Sequence, residues 1–340
     1  MPSSASTTEP TSGMPEFERM KERMKGKKGS NTFNAEDAIS EGSQYKFKLV
    51  PLPEELVLPP LQWKGLLCAI QSAKNILFVG PSGTGKTWAS KKAAEALGRP
   101  YFIFNLGDTQ DARTALIGTT HFVHGKGTVF QPSMFIEAIQ TPNAVVNLDE
   151  LTRGNHDAWN ILLPVLESHQ RILRINESDG TGVDKVVKVA DGVSFIATAN
   201  VGTNYTATRQ LDRALQDRFQ LIIEMPFMSK AHEYKFLSSR FPSVKSEVVH
   251  CFTAVAEHVR QSYINDTSDI NEYISTRVLL EMMDLNSQGF TPLECFEMLV
   301  YPFYEQGIER DSVKAVVNEK LPKDGNLKQP FNKPVQGIEA

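Results

Sequence analysis

Apolar and polar residues change rhythm repeatedly along this chain. Five short apolar runs read as strands: Asn75–Val79 (NILFV), Tyr101–Asn105 (YFIFN), Ala144–Leu148 (AVVNL), Val193–Thr198 (VSFIAT) and Leu221–Glu224 (LIIE). Their hydrophobicity is continuous, which predicts burial on both faces. Between them the spacing becomes helical. One helix follows a Gly-rich turn and runs to Leu97, with Gly98 as its stop. Others are expected over Ser133–Gln140, Asp157–Ser168 and about Arg209–Asp217. In the second of these, Trp159, Leu162, Leu163 and Leu166 share one face. Strands alternating with helices predict an α/β fold, a parallel sheet with helices on both sides.

After Pro226 the strand pattern ceases. Lys230–Phe241, Val244–Tyr263, Ser275–Leu285 and Pro292–Val300 all read as helices. The expected partition is a tail over 1–45, an α/β domain over 46–226, a helical domain over 227–305 and a second tail over 306–340. The first tail is rich in Ser, Thr, Pro and charge, as unfolded segments are. Inside it, Glu16 to Lys28 is basic, with Phe17, Met20 and Met24 at helical spacing. Two insertions interrupt the α/β pattern. One is His121 to Phe130. The other is Arg171 to Val189, where two apolar stretches flank Asp179-Gly180-Thr181-Gly182, a hairpin signal.

Composition narrows the class only slightly. The chain has 340 residues, 36 basic and 40 acidic, for a formal charge of −4. That balance argues against a polybasic nucleic-acid binder. No run of 18 apolar residues is present, so no membrane span is expected. Met1 to Gly13 lacks the apolar core of a secretory leader. Cys68, Cys251 and Cys295 are scattered and odd in number, which predicts a reducing, cytoplasmic setting. His121 and His124 have no carboxylate or cysteine at ligand spacing and read as ordinary histidines.

The chemistry lies at strand ends. Gly80-Pro81-Ser82-Gly83-Thr84-Gly85-Lys86-Thr87 fits G-x-x-x-x-G-K-[ST], and it stands between a strand and a helix as that loop requires. Its glycines let successive backbone N–H groups turn inward toward phosphate oxygens, and the helix start adds its positive end. Lys86 is placed to reach the β- and γ-phosphates of ATP, and Thr87 to ligate Mg²⁺. Some 60 residues on, the run AVVNL ends in Asp149-Glu150. Asp149 is expected to hold Mg²⁺ and Glu150 to polarise the attacking water. Trp63 and Trp88 both read as packing residues. Trp63, in a helix before the first strand, is a candidate cover for the adenine.

Three further elements carry a resemblance. VSFIATAN ends in Asn200; Gln210 to Phe219 reads QLDRALQDRF; Ser275-Thr276-Arg277 opens a helix. With the loop and the acidic pair, these resemble an AAA+ ATPase over about residues 50 to 305. The resemblance implies a five-stranded parallel sheet of order 5-1-4-3-2 with a C-terminal helical lid. It implies Asn200 as sensor 1, Arg277 as sensor 2, and Arg218 as an arginine finger, with Arg213 as the other candidate or an interface partner. Residues 149–155 (DELTRGN) and 161–167 (ILLPVLE) are similar to the MoxR and dynein-related branch, although Thr152 stands where MoxR proteins usually have Asn. Residues 105–118 (NLGDTQDARTALIG) are similar to the cobaltochelatase CobS-type subunit.

These likenesses imply a homo-oligomer, usually a hexameric ring, that remodels or activates a protein client or a von Willebrand-type partner. In that branch such insertions face the ring's pore or top, which makes Phe122 a candidate client contact, the alternative being a surface hairpin that touches nothing. The alternatives are an ATPase subunit of a metal chelatase and a nucleic-acid-directed motor, the latter disfavoured by the modest charge.

Overall fold

The computed structural model describes residues 46–107, 111–124, 127–175, 185–200, 213–265 and 270–321. The basic segment 16–28 and residues 201–212, which include Gln210 to Asp212, lie outside these. Five strands form one parallel sheet: β1 (Ile76–Gly80), β2 (Tyr101–Asn105), β5 (Val145–Asp149), β8 (Ser194–Asn200) and β9 (Leu221–Glu224). Their spatial order is β2-β5-β8-β1-β9. Side chains alternate across the sheet with period two. Leu77, Val146, Leu148, Phe195 and Ala197 therefore enter one core, with α3 (Ala112–Leu116), α4 (Met134–Gln140) and α5 (His156–Leu166). Ile76, Phe78, Val145 and Ile196 enter the opposite core, with α1 (Pro60–Gln71) and α2 (Lys86–Leu97).

The central strands are buried on both faces, as continuous hydrophobicity requires. The outer two are not. Ile103 on β2 is 49% exposed and Ile222 on β9 is 54% exposed. The expectation of five fully buried strands is thus corrected to three buried strands and two edges. An edge strand lacks one neighbour, and composition alone does not say which strand that is.

Both insertions are antiparallel hairpins. β3 (Gly118–Val123) pairs with β4 (Gly127–Pro132), and β6 (Ile172–Ile175) with β7 (Lys185–Lys188). Phe122 on the first is 78% exposed. Of the helix expected over Arg209–Asp217, residues 209–212 lie outside the described residues, and α6 spans Arg213–Gln216.

A separate core joins α7 (Lys230–Arg240), α8 (Ser246–Asn265), α9 (Thr276–Ser287), α10 (Pro292–Leu299) and α11 (Ile308–Lys320). The last helix corrects the boundary expected at 306. Val313 and Val317 are fully buried and Leu321 is 5% exposed, all within that core. Their i, i+4, i+8 spacing makes one apolar stripe on an otherwise polar helix, so mean composition hid it. Val317→Ala is expected to cost about 2 kcal/mol through lost burial and a cavity, read as a lower urea midpoint. A detached tail helix would leave the midpoint unchanged.

Candidate active site

All five strands point their C-terminal ends to one edge of the sheet, where ligands bind in open α/β folds. β1 ends at Gly80, which sits so close to the Met225 carbonyl that a Cβ would overlap it. Gly83 (φ 77°) and Gly85 (φ 90°) curl the loop into the start of α2. Lys86 is 6% exposed, and its ammonium donates to the carbonyls of Gly80 (2.9 Å) and Pro81 (2.6 Å). Burial pushes Lys86 down to about 8; the charges of Asp149 and Glu150 oppose that shift and Arg277 adds to it.

Asp149 closes β5 one strand away from β8 and two from β1. Its Oδ1 accepts from the Thr87 hydroxyl at 2.8 Å and from the Thr198 hydroxyl at 2.6 Å. Thr198 in turn accepts from the Glu150 amide at 3.0 Å. One threonine on β8 therefore fixes both acidic residues. Nothing in the loop motifs points to it; the available signal was a hydroxyl inside an otherwise apolar strand, two residues before Asn200 and so on the same face. Glu150 adopts a left-handed conformation (φ 53°), which turns its side chain off the strand path. Its Oε2 pairs with Arg153 Nη1 at 3.1 Å, a contact absent from the sequence expectations. Asn200 ends β8 in register with Gly80 and is 8% exposed.

These residues line a cleft of about 720 Å³. The volume suits a small-molecule ligand. Ser82 to Thr87, Asp149, Glu150 and Asn200 form its phosphate-side wall, and Arg277 enters from α9. Trp63 does not reach the cleft. Its indole donates to the Val50 carbonyl at 2.8 Å within the α1 core, so it is not the adenine cover. Trp88 lies at the cleft instead, 41% exposed, with the Lys92 ammonium 4.7 Å from its ring centre. Trp63 packs as expected, on the inward stripe of α1, whereas Trp88, also expected to pack, lies at the cleft.

Arg218 lies elsewhere. Its Nη2 pairs with Glu167 at 3.3 Å, its Nε donates to the Leu163 carbonyl at 3.0 Å, and its Nη1 bonds the Ala214 carbonyl. Arg213 is exposed at the start of α6.

The family described as "AAA domain (dynein-related subfamily)" matches residues 75–219, the stretch from the first strand of the cleft to Phe219. Residues 75–219 are thus similar to an AAA-type ATPase domain. BssE of Thauera aromatica, named for a chaperone role, is 32% identical over 167 residues, 49% of this chain and 55% of that protein. YojN of Bacillus subtilis (strain 168), itself uncharacterized, is 26% identical over 222 residues, 64% of this chain and 69% of that protein. The chain thus spans little more than half the length of BssE. A solved structure of the RuvB Holliday junction branch migration motor of Thermotoga maritima is 15% identical, covering 67% of this chain and 70% of that one, at a TM-score of 0.40. No helix among the described residues is long and apolar enough to cross a membrane.

The Lys86 environment gives a pH dependence. Bound phosphate favours the charged ammonium, so the lysine of the complex holds its proton to higher pH than that of the free AAA+ domain. Affinity is then full below about 8, the Lys86 value, and falls above it. The fall approaches about tenfold per pH unit. Binding of a non-hydrolysable ATP analogue between pH 7 and 10 should show it, with a flatter profile in Lys86→Arg. Parallel profiles would contradict the assignment to Lys86.

Proposed function

We propose that this chain is one subunit of a ring-forming, Mg²⁺-dependent ATPase of the MoxR type that remodels or activates a partner protein. The observation that carries the reading is the division of its arginines. Arg277 lies in the subunit's own cleft, whereas Arg218 is held outside it by Glu167 and two carbonyls. An arginine aimed away from its own site serves the site of a neighbour when the interface is heterologous and closes into a ring.

The donor set at the cleft fits magnesium. A hydroxyl and a carboxylate 2.8 Å apart, Thr87 and Asp149, are hard oxygen ligands. Among the described residues no three His, Cys, Asp or Glu side chains form a metal cluster, which suits an ion that takes its other ligands from phosphate and water. When bound, the ion offsets negative charge on the β- and γ-phosphate oxygens. Lys86 and the loop amides hold those phosphates. Glu150 takes the proton of the attacking water as its oxygen bonds to the γ-phosphorus and the bond to the ADP oxygen breaks. Asn200 orients that water. Arg277 in cis and Arg218 in trans neutralise charge on the transferred group, with Arg213 at the same subunit boundary. Phe122, exposed on its hairpin, is the client contact in this reading.

Two outcomes follow. Glu150→Gln should lower kcat by about 10² to 10⁴ while ATP affinity stays within about threefold; wild-type turnover would remove Glu150 from the chemistry. Mixing Arg218→Ala with Lys86→Ala subunits, each inactive alone, should restore phosphate release in proportion to mixed interfaces. Failure at every ratio would refute donation in trans, and repeating the mixture with Arg213→Ala identifies which arginine is donated.

A further inference from the structure

The segment 273–277 crosses from the helical unit onto the phosphate loop, and its anchoring is unusual. The Tyr273 hydroxyl accepts the Ser82 amide at 2.8 Å. Ser275 lies so close to Gly83 that a Cβ on that glycine would come within 2.6 Å of the Ser275 Cβ. Arg277 follows directly and lines the cleft. Side chains of the strap thus lie directly against the backbone of the loop.

Behind the strap sits a buried ion pair. Arg260 on α8 and Glu233 on α7 are 3% and 0% exposed, joined by two hydrogen bonds of 2.8 and 3.0 Å. Both partners also reach the strap. Arg260 Nε donates to the Ile274 carbonyl at 2.7 Å, and Glu233 accepts from the Thr276 hydroxyl at 2.6 Å. The Arg260 guanidinium lies 4.8 Å from the ring centre of Phe227, which meets the Tyr273 ring at 4.9 Å; Tyr263 meets that ring from another side at 5.0 Å. Residues 273, 274 and 276 are therefore gripped individually.

A buried ion pair adds little net stability over apolar side chains of equal volume, because desolvation offsets its attraction. Its distinct contribution is direction. Here one further donor of Arg260 and one further acceptor site of Glu233 go to the strap.

We propose that Glu233 and Arg260 form a clamp that positions Arg277 over the phosphate end of the cleft, acting through Thr276 and Tyr273. These four are positioning residues and make no bond to the reacting atoms. The proposal rests on the reading that Arg277 contacts the phosphates. Movement of α7 against α8 is then transmitted to Arg277 through the strap, because the same two side chains hold both.

The test is a double-mutant cycle in the full chain, read by steady-state ATP hydrolysis and thermal melting. Thr276→Val removes the hydroxyl at constant shape and Thr276→Ser restores it; Tyr273→Phe removes the hydroxyl that accepts the Ser82 amide. Thr276→Val and Tyr273→Phe should each lower kcat about fivefold, the equivalent of one hydrogen bond, with KM nearly unchanged and melting close to wild type. Thr276→Ser should match wild type. In an Arg277→Ala background, Thr276→Val should lower kcat no further.

Losses that multiply in the double variant would overturn the clamp while leaving Arg277 in its role, and so would wild-type kcat in either single variant. Wild-type kcat in Arg277→Ala would overturn the reading of Arg277 and the clamp with it.

Discussion

One carboxylate oxygen organises the cleft. Asp149 Oδ1 accepts hydroxyls from α2 and from β8, so the phosphate-loop helix and two sheet strands are tied at a single atom. This tie is possible only because β5, β8 and β1 are adjacent and parallel, which brings Asp149, Asn200 and Gly80 to one edge. The same Thr198 hydroxyl holds the Glu150 amide. A shift of any of the three elements would move the acidic pair relative to Lys86, whose proton affinity depends on both carboxylates.

The second constraint is that the cleft has two owners. The sheet provides the loop and the acidic pair; the helical unit provides Arg277 and the strap over Ser82 and Gly83. Each has its own hydrophobic core, so each can move as a body while the cleft between them opens or closes. The proposed coupling of ATP chemistry to work on a partner would need such a joint, and polar contacts at the strap suit it better than a continuous apolar interface.

Much of this was legible in the residues because the signals are local. Gly80 to Thr87 and the run into Asp149-Glu150 each need only a strand, a turn and a helix start. The helices after Lys230 announced themselves by their period. What stayed hidden depends on contacts between distant segments. Thr198 looks like any strand threonine until β8 lies beside β5. Trp63 and Trp88 differ only in which face of a helix meets the core. The tether of Arg218 needs Glu167, 51 positions earlier in the chain, and α11 needs a packed core to reveal Val313 and Val317 as more than a stripe in a polar segment.

In the proposed mechanism Asp149 holds the ion while tied to α2 and β8. Phosphate release at graded Mg²⁺ by wild type, Asp149→Asn and Thr198→Val tests it most directly. The account predicts that Asp149→Asn raises the half-saturating Mg²⁺ concentration by at least about tenfold, and that Thr198→Val shifts it the same way by less, as an outer partner does. Identical half-saturation in wild type and Asp149→Asn would contradict it.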